Sequence, residues 1–92
     1  MMDSDDELGT IYALIARFEK QRLPRLLELK ELVDKGNTLG TSDIQFMSQV
    51  MDDAQRSKRL IDQHPEWQTF CAEVIHLYEE IAEKALENEK KA

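Results

Sequence analysis

Apolar side chains recur with the period of an α-helix over the first third of this 92-residue chain. The apolar positions are Leu8, Ile11, Tyr12, Ile15, Phe18, Leu23, Leu26, Leu29 and Val33. At about 3.6 residues per turn they fall within an arc of roughly 140°, which is the width of a helix face that packs on one side. The pattern therefore predicts a long amphipathic helix over about residues 5–35, with Ser4 as its N-cap and Glu7 completing a capping box.

Pro24 interrupts this helical pattern without shifting its phase. A proline inside a helix removes one backbone hydrogen bond and clashes with the carbonyl four residues earlier, so it bends or breaks the helix. Because the apolar arc continues on the same face beyond Pro24, we predict one helix that is bent near Gln21, with Pro24 on its convex outer side. Two separate helices broken at Pro24 are the alternative.

A helix stop and a second helix start follow close together. Gly36, directly after Lys35, is typical of a left-handed C-cap. Ser42 with Gln45 three residues later has the spacing of a capping box and predicts a helix over about residues 43–62. The apolar stripe of this second helix includes two methionines and an alanine, which makes it the least firmly packed of the three stripes. It consists of Phe46, Met47, Val50, Met51, Ala54, Ser57 and Ile61.

The third helix is predicted to begin at Pro65, because proline suits the first position of a helix, with His64 as its cap. The angular phase of the apolar stripe jumps by roughly 130° at this point, so the second and third stripes cannot belong to one continuous helix. We therefore predict a turn at residues 63–65 and a helix over about residues 65–88, followed by a charged tail, 89–92, that frays.

The order of these helices predicts a single all-α domain. Short connections make sequential helices antiparallel neighbours, which gives an up-down-up three-helix bundle with a long, bent first helix. Leu14 and Leu32 lie beside the main stripe of that helix, and spare leucines on a thin core favour self-association as a homodimer. Scattered surface apolar residues are the alternative explanation, since they are common on monomers.

Positive charge is concentrated in two short windows of an acidic chain. The windows hold seven of the twelve basic residues and one acid, Glu19, whereas the rest of the chain has five basic and eighteen acidic residues. In an antiparallel hairpin the windows lie at one level of the bundle, and we call their side chains the basic belt. The belt consists of Arg17, Lys20, Arg22, Arg25, Arg56, Lys58 and Arg59.

Two members of the basic belt fall on or beside the apolar stripes, namely Arg22 and Lys58. An unpaired buried cation is costly, so each needs a partner or water. Three interpretations stay open. The side chains extend to solvent and pair with Glu19, Glu66 or Glu73; or the belt binds an acidic segment of a partner; or it binds a small anion.

Candidate catalytic and metal-binding residues are sparse. Glu73 and His76 form one Glu-x-x-His step with Glu80 nearby, but a di-iron site needs two such steps that face inward, and His76 lies on the outer face. This cluster is therefore only a weak metal candidate, and we expect neither a metal nor a cofactor. Cys71 lies within the apolar stripe, past the first helical turn, so we expect an inert core thiol. Trp67 is expected to close one end of the core.

These observations favour a non-catalytic protein that acts by binding protein, as a homodimer or an accessory subunit. The net charge of −7 argues against nucleic acid and anionic membrane surfaces, and a single cysteine is typical of a cytoplasmic protein. A metal- or small-anion-binding bundle is the alternative. The residues predicted to contact a partner are Arg22, Arg25, Arg56, Lys58, Arg59, Leu14 and Leu32.

Overall fold

The computed structural model describes residues 4–91, and the side chains of residues 9–91. It contains four α-helices: α1 (Ser4–Gln21), α2 (Leu23–Asp34), α3 (Thr41–Asp62) and α4 (Gln68–Lys91), with a 3-10 helix at Pro65–Trp67 before α4. No β-strand occurs within residues 4–91, which confirms the prediction of an all-α fold. The predicted capping side chains of Ser4 and Glu7 lie outside the described side chains.

The predicted first helix is divided into two, so four α-helices are present within residues 4–91 and the predicted count of three is not confirmed. Arg22 stands between α1 and α2 with φ −109° and ψ −45°, which is close to helical geometry. Its N–H donates to Phe18 O at 2.8 Å and its carbonyl accepts from Leu26 N–H at 3.0 Å, so hydrogen bonds of helical spacing remain on both sides. Pro24 occupies the first turn of α2, where its missing N–H is least disruptive. The break is therefore a local interruption and not a change of chain direction.

Contacts along the chain show how the helices run past one another. Arg25 on α2 meets Asp43 near the start of α3, whereas Ile15 on α1 packs near Ile61 at the end of α3, so α3 runs antiparallel to α1 and α2. Tyr12 meets Trp67, and Lys30 meets Glu80 further along both segments, so α4 runs parallel to them. The chain thus goes up, down and up, with α1 and α2 sharing the first pass.

The connection between α2 and α3 uses one predicted signal and one that was missed. Gly36 has φ +94°, as a left-handed C-cap requires, which confirms the predicted helix stop. The start of α3 is wrong in the sequence-based prediction: its N-cap is Gly40, not Ser42. Gly40 N–H donates to Asp43 Oδ2 at 3.0 Å, so a carboxylate in the first turn replaces the expected Ser42–Gln45 pair.

Two apolar clusters form the interior. The larger one joins α2, the first half of α3 and the second half of α4 through Leu26, Leu29, Val33, Phe46, Met47, Val50, Ile81 and Ala85. The smaller one joins α1, the end of α3 and the start of α4 through Ile11, Ile15 and Ile61, with Leu60, Trp67, Phe70 and Cys71 against it. The two clusters therefore lie on either side of a middle section of the molecule.

A buried amide fastens the end of α4 to the α2–α3 connection. Asn88 is only 6% exposed. Its Nδ2 donates to Val33 O and to Asn37 O, each at 2.8 Å. Val33 O also accepts from Gly36 N–H at 3.0 Å, so the amide adds a second donor at the end of α2 and binds the loop at Asn37. Residues 89–91, which we expected to fray, are helical. The hydrophobic pattern alone does not identify a polar residue with this role.

Candidate binding site

A cleft opens between α1, the second half of α3 and the first half of α4; we call it the α3 cleft. Its volume is ≈ 580 Å³. Between Val50, which packs in the larger cluster, and Ile61, which packs in the smaller one, the inward side of α3 carries Ala54 and Ser57. These side chains are too short to fill the space to α1 and α4. The cleft is thus a direct result of two small residues in the stripe of α3.

The lining of the α3 cleft is mainly apolar. Ile15 and Phe18 come from α1, and Met51 comes from α3. The remaining large apolar side chains are Ile11 and Leu14 of α1, Leu60 and Ile61 of α3, and Phe70, Val74 and Ile75 of α4. A lining of this kind favours an apolar occupant, because apolar surface gains free energy when it leaves water.

Charged residues surround this apolar lining. Four cations of the basic belt line the cleft, Arg17, Arg22, Arg56 and Lys58, against two acids, Asp53 and Asp62. The cleft therefore carries a local charge of about +2 at neutral pH, although the chain as a whole is at −7. The structure thus brings together members of both basic windows, as the hairpin prediction required.

Arg22 is held by α3. Its Nε donates to Asp53 Oδ2 at 3.1 Å and its Nη1 donates to Gln49 Oε1 at 3.2 Å. The predicted acidic partners were Glu19, Glu66 and Glu73, so that assignment is wrong. Sequence reasoning missed Asp53, because the partner of Arg22 depends on the register of α3 against the end of α1.

Arg25 belongs to a different part of the surface. Its guanidinium carbon lies 4.7 Å from the centroid of the Phe46 ring, and its Nη2 lies 3.3 Å from Asp43 Oδ1. The side chain covers the edge of the larger cluster and does not line the α3 cleft. Arg59 is exposed and also lies outside the lining. The predicted set of five cations is therefore divided, with Arg22, Arg56 and Lys58 at the cleft.

The cations of the cleft differ in how far they are neutralised. Lys58 Nζ lies 3.8 Å from Asp62 Oδ2 on the same helix, and Arg22 is paired with Asp53. Among the described side chains, Arg17 Nε donates only to a neutral acceptor, Gln21 Oε1, at 3.4 Å. Neither Arg17 nor Arg56 forms an ion pair with the side chains of residues 9–91. These two guanidinium groups therefore keep the capacity to receive a carboxylate.

The two leucines predicted as partner contacts have different surroundings. Leu14 is exposed and lies at the edge of the α3 cleft. Leu32 is half-buried and packs against the larger cluster. Leu14 thus remains part of the candidate surface, whereas the apolar face of Leu32 is already used within the fold.

The weak metal candidate on α4 is not assembled. His76 Nδ1 lies 3.2 Å from Glu80 Oε1, and both side chains are largely exposed. Within residues 9–91 no three His, Cys, Asp or Glu side chains are close enough to bind one metal ion. Glu73 therefore does not complete a ligand set with His76 and Glu80. Glu80 also faces Lys30, whose Nζ lies 3.5 Å from Glu80 Oε2. The local arrangement is an ion-pair network on the helix surface.

Cys71 and Trp67 lie at the smaller cluster, next to the cleft. Burial, with a further contribution from the Asp62 carboxylate, raises the pKa of the Cys71 thiol, which disfavours the reactive thiolate. The edge of Tyr12 packs against Trp67 with ring centroids 5.1 Å apart. Trp67 Nε1 is buried and has no acceptor among the described residues. Both side chains can serve as probes of the cleft, because Cys71 lines it and Trp67 packs beside it.

Comparison with protein-family models, with curated proteins and with solved structures gives no match to this chain. None of the helices within residues 4–91 has the length and apolar composition needed to cross a lipid bilayer.

Proposed function

We propose that this is a non-catalytic cytoplasmic protein that acts by binding protein, and that its first partner is a second copy of itself. The single cysteine fits a reducing compartment. The observation that carries the proposal is a row of exposed residues on α4 that leads out of the α3 cleft. The surface area of the chain and the distribution of its charges support the same function.

The surface of the single chain is larger than its mass requires. Its accessible area is 6499 Å² at 10.7 kDa, whereas a compact monomer of this mass exposes about 5,500 Å². The molecule is elongated, with extents of 54 × 20 × 17 Å. The difference of about 1,000 Å² is close to the roughly 800 Å² that each partner contributes to an interface of standard size. Dimerisation would bring the accessible area per chain close to that of a compact monomer of the same mass.

The row on α4 has the spacing of a helix–helix seam, with intervals of three and four residues. It consists of Ala72, Ile75, Glu79, Ala82 and Leu86, all of them exposed. Ala72 and Ile75 also line the α3 cleft, so the row continues the apolar lining toward the C-terminal half of α4. We propose this row as the centre of the interface.

The charges favour an antiparallel pairing of α4 with its copy. The middle of the row carries Glu79, and Glu83 is exposed beside its outer half. About a two-fold axis near the middle of the row, Glu79 lies close to its own copy, whereas Glu83 of one chain approaches Ile75 of the other and with it the basic cleft near Lys58. A symmetric pairing of cleft with cleft would instead oppose like charges, which is unfavourable. Leu14, Arg22 and Arg56 are the further residues that we propose at the contact.

Sedimentation equilibrium over a range of protein concentrations tests this proposal. We expect a monomer–dimer equilibrium that Leu86→Glu weakens at least tenfold, because a carboxylate would be desolvated at the seam. Leu27→Glu is the matched control, since Leu27 on α2 is 51% exposed and Leu86 is 54% exposed, but Leu27 lies off the row. A monomer at every concentration, or equal effects of the two substitutions, would refute the proposed interface.

A further inference from the structure

We propose that the α3 cleft is a binding site for a small amphiphile with one carboxylate: an apolar chain lies beneath α3, and the carboxylate pairs with Arg17 or Arg56. This site shares Arg56, Ala72 and Ile75 with the proposed dimer contact, but it is tested separately, because ligand binding and sedimentation are different measurements. Three features support it: the size of the cleft, its origin in two small side chains, and the position of the cations without ion pairs.

The size of the cleft suits a small molecule. Its volume of ≈ 580 Å³ lies within the roughly 300–1,000 Å³ that is usual for small-ligand sites. The lining on α1 extends from Ile11 to Gln21, which covers about 15 Å along a helix. An extended alkyl chain of medium length fits such a distance.

The cleft has an interior beneath α3 and two openings, one on each side of that helix. Ala54, Ser57 and Ile61 lie along the inner side of α3, and the lining also includes residues on both of its flanks. By helical periodicity Asp53 and Arg56 share one flank, toward α1, while Lys58 and Asp62 share the other, toward α4. α3 therefore spans the cleft, and a ligand beneath it is covered by backbone and small side chains.

The openings differ in the charge that they offer to a ligand. On the α4 side, Lys58 is paired with Asp62 at 3.8 Å. On the α1 side, Arg22 is paired with Asp53 at 3.1 Å, but Arg17 and Arg56 have no ion pair with the side chains of residues 9–91. A carboxylate is suited to this opening, because a guanidinium group binds it with two parallel hydrogen bonds. A neutral or cationic head group would not gain this interaction.

The chain contains its own reporters for the occupied site. Cys71 is the single cysteine and lines the cleft, so an occupant should protect it from alkylation. Trp67 is the single tryptophan and packs against Ile11, Ile15 and Ile61 beside the cleft, so its fluorescence should change on binding. Both signals are read from the unmodified full chain.

The test uses dodecanoate below its micelle concentration, with dodecanol as the neutral probe of the same chain length and acetate as the carboxylate without a chain. Titration is followed by Trp67 fluorescence and by the alkylation rate of Cys71. We expect saturable binding of dodecanoate, binding of dodecanol weaker by about tenfold or more, and none of acetate. Equal affinity for dodecanoate and dodecanol, or no binding of dodecanoate, would overturn the proposal.

Substitutions locate the site. The double substitution Arg17→Gln with Arg56→Gln should reduce dodecanoate affinity about tenfold to the level of dodecanol, while Arg59→Gln, an exposed cation outside the lining, should leave it unchanged. Ala54→Leu should abolish binding by filling the cleft, with the helical circular dichroism retained. Should that variant lose its fold, Ser57→Val gives the same test with a smaller side chain. Dodecanoate binding that survives in a folded, filled variant, or that Arg59→Gln weakens equally, would place the ligand elsewhere and refute the inference.

Discussion

Arg22 Nε lies 3.1 Å from Asp53 Oδ2, so the single residue between α1 and α2 is attached to the middle of α3. Gln49, one turn earlier on α3, accepts a second hydrogen bond from the same guanidinium group at 3.2 Å. The Arg22 side chain thus holds the break between α1 and α2 against α3, at the edge of the α3 cleft. This relationship links the local backbone geometry of the break to the shape of the candidate site.

The Arg22–Asp53 pair is expected to contribute modestly to folding. Its side chains are 26% and 41% exposed, and partly exposed pairs have coupling energies of about 0.5 kcal/mol. A double-mutant cycle with Arg22→Ala and Asp53→Ala, measured by urea unfolding, checks this value. Arg22→Ala alone should cost more, because it also removes the Gln49 hydrogen bond. Lys58→Ala is the control and should have no measurable effect, since Lys58 is 76% exposed. A coupling energy near zero would show that the pair does not hold the break.

The buried amide of Asn88 is expected to contribute more than any surface ion pair. Asn88→Ala leaves two carbonyls, those of Val33 and Asn37, without their side-chain donor, at a cost of about 2 kcal/mol. For a domain of this size that cost corresponds to a decrease in melting temperature of about 8–16 °C.

Truncation provides a matched pair for the same residue. A chain that ends after Asn88 keeps the amide and should melt near the full-length value. A chain that ends after Glu87 lacks it and should show the same loss as Asn88→Ala. Thermal unfolding followed by circular dichroism compares the three proteins. If both truncated chains melt alike, the stability of this end comes from the helix and not from the amide.

Cys71 is expected to react slowly in the folded protein. Its pKa is raised by burial and by Asp62, so the thiolate is scarce at neutral pH and alkylation should accelerate in concentrated urea. A group with a raised pKa stabilises the fold below its ordinary pKa, and this contribution is lost as the pH rises through the higher pKa of the folded state. Rates of alkylation by iodoacetamide against pH, in buffer and in urea, check the direction. A midpoint in buffer at or below that in urea would contradict it.

Pro24 is expected to cause the break at Arg22. Proline cannot donate to the carbonyl four residues earlier, that of Lys20, and its ring clashes with it. In Pro24→Ala an N–H becomes available at residue 24, so α1 and α2 should join into the continuous helix that the apolar pattern predicts. Carbon chemical shifts and amide exchange of residues 20–26 report the change. If the amide of residue 24 in the variant exchanges as fast as that of an unstructured peptide, the Arg22–Asp53 pair is the cause of the break instead.

The course of the chain could be predicted from local signals, because each signal acts within a few residues. Gly36 ends a helix through its left-handed backbone and Pro65 begins a helical segment through its fixed φ. The apolar stripes then determine which faces meet. Prediction was wrong where two signals compete: Ser42 satisfies a capping pattern, yet Gly40 with Asp43 forms the cap.

Features that depend on three-dimensional register could not be predicted in the same way. Arg22 pairs with Asp53 because the register of α3 against the end of α1 places these two residues side by side. A shift of α3 by one residue would place another side chain next to Arg22. The α3 cleft arises because Ala54 and Ser57 face a wide part of the bundle. The sequence shows that these two residues are small, but it does not show how far α3 lies from α1 and α4 at their positions. The predicted cations were therefore brought together only in part.

The link from Asn88 to Val33 spans 55 positions of the chain, and this has a consequence for folding during synthesis. α2 and α3 are complete long before residue 88 is made, yet the carbonyls at their connection receive their final donor only from the last turns of α4. Local helices form early and contacts between distant parts of the chain form late, because loop closure costs entropy. The α2–α3 hairpin is therefore made well before its connection is completed, and a growing chain that has not reached residue 88 holds this connection without its last donor.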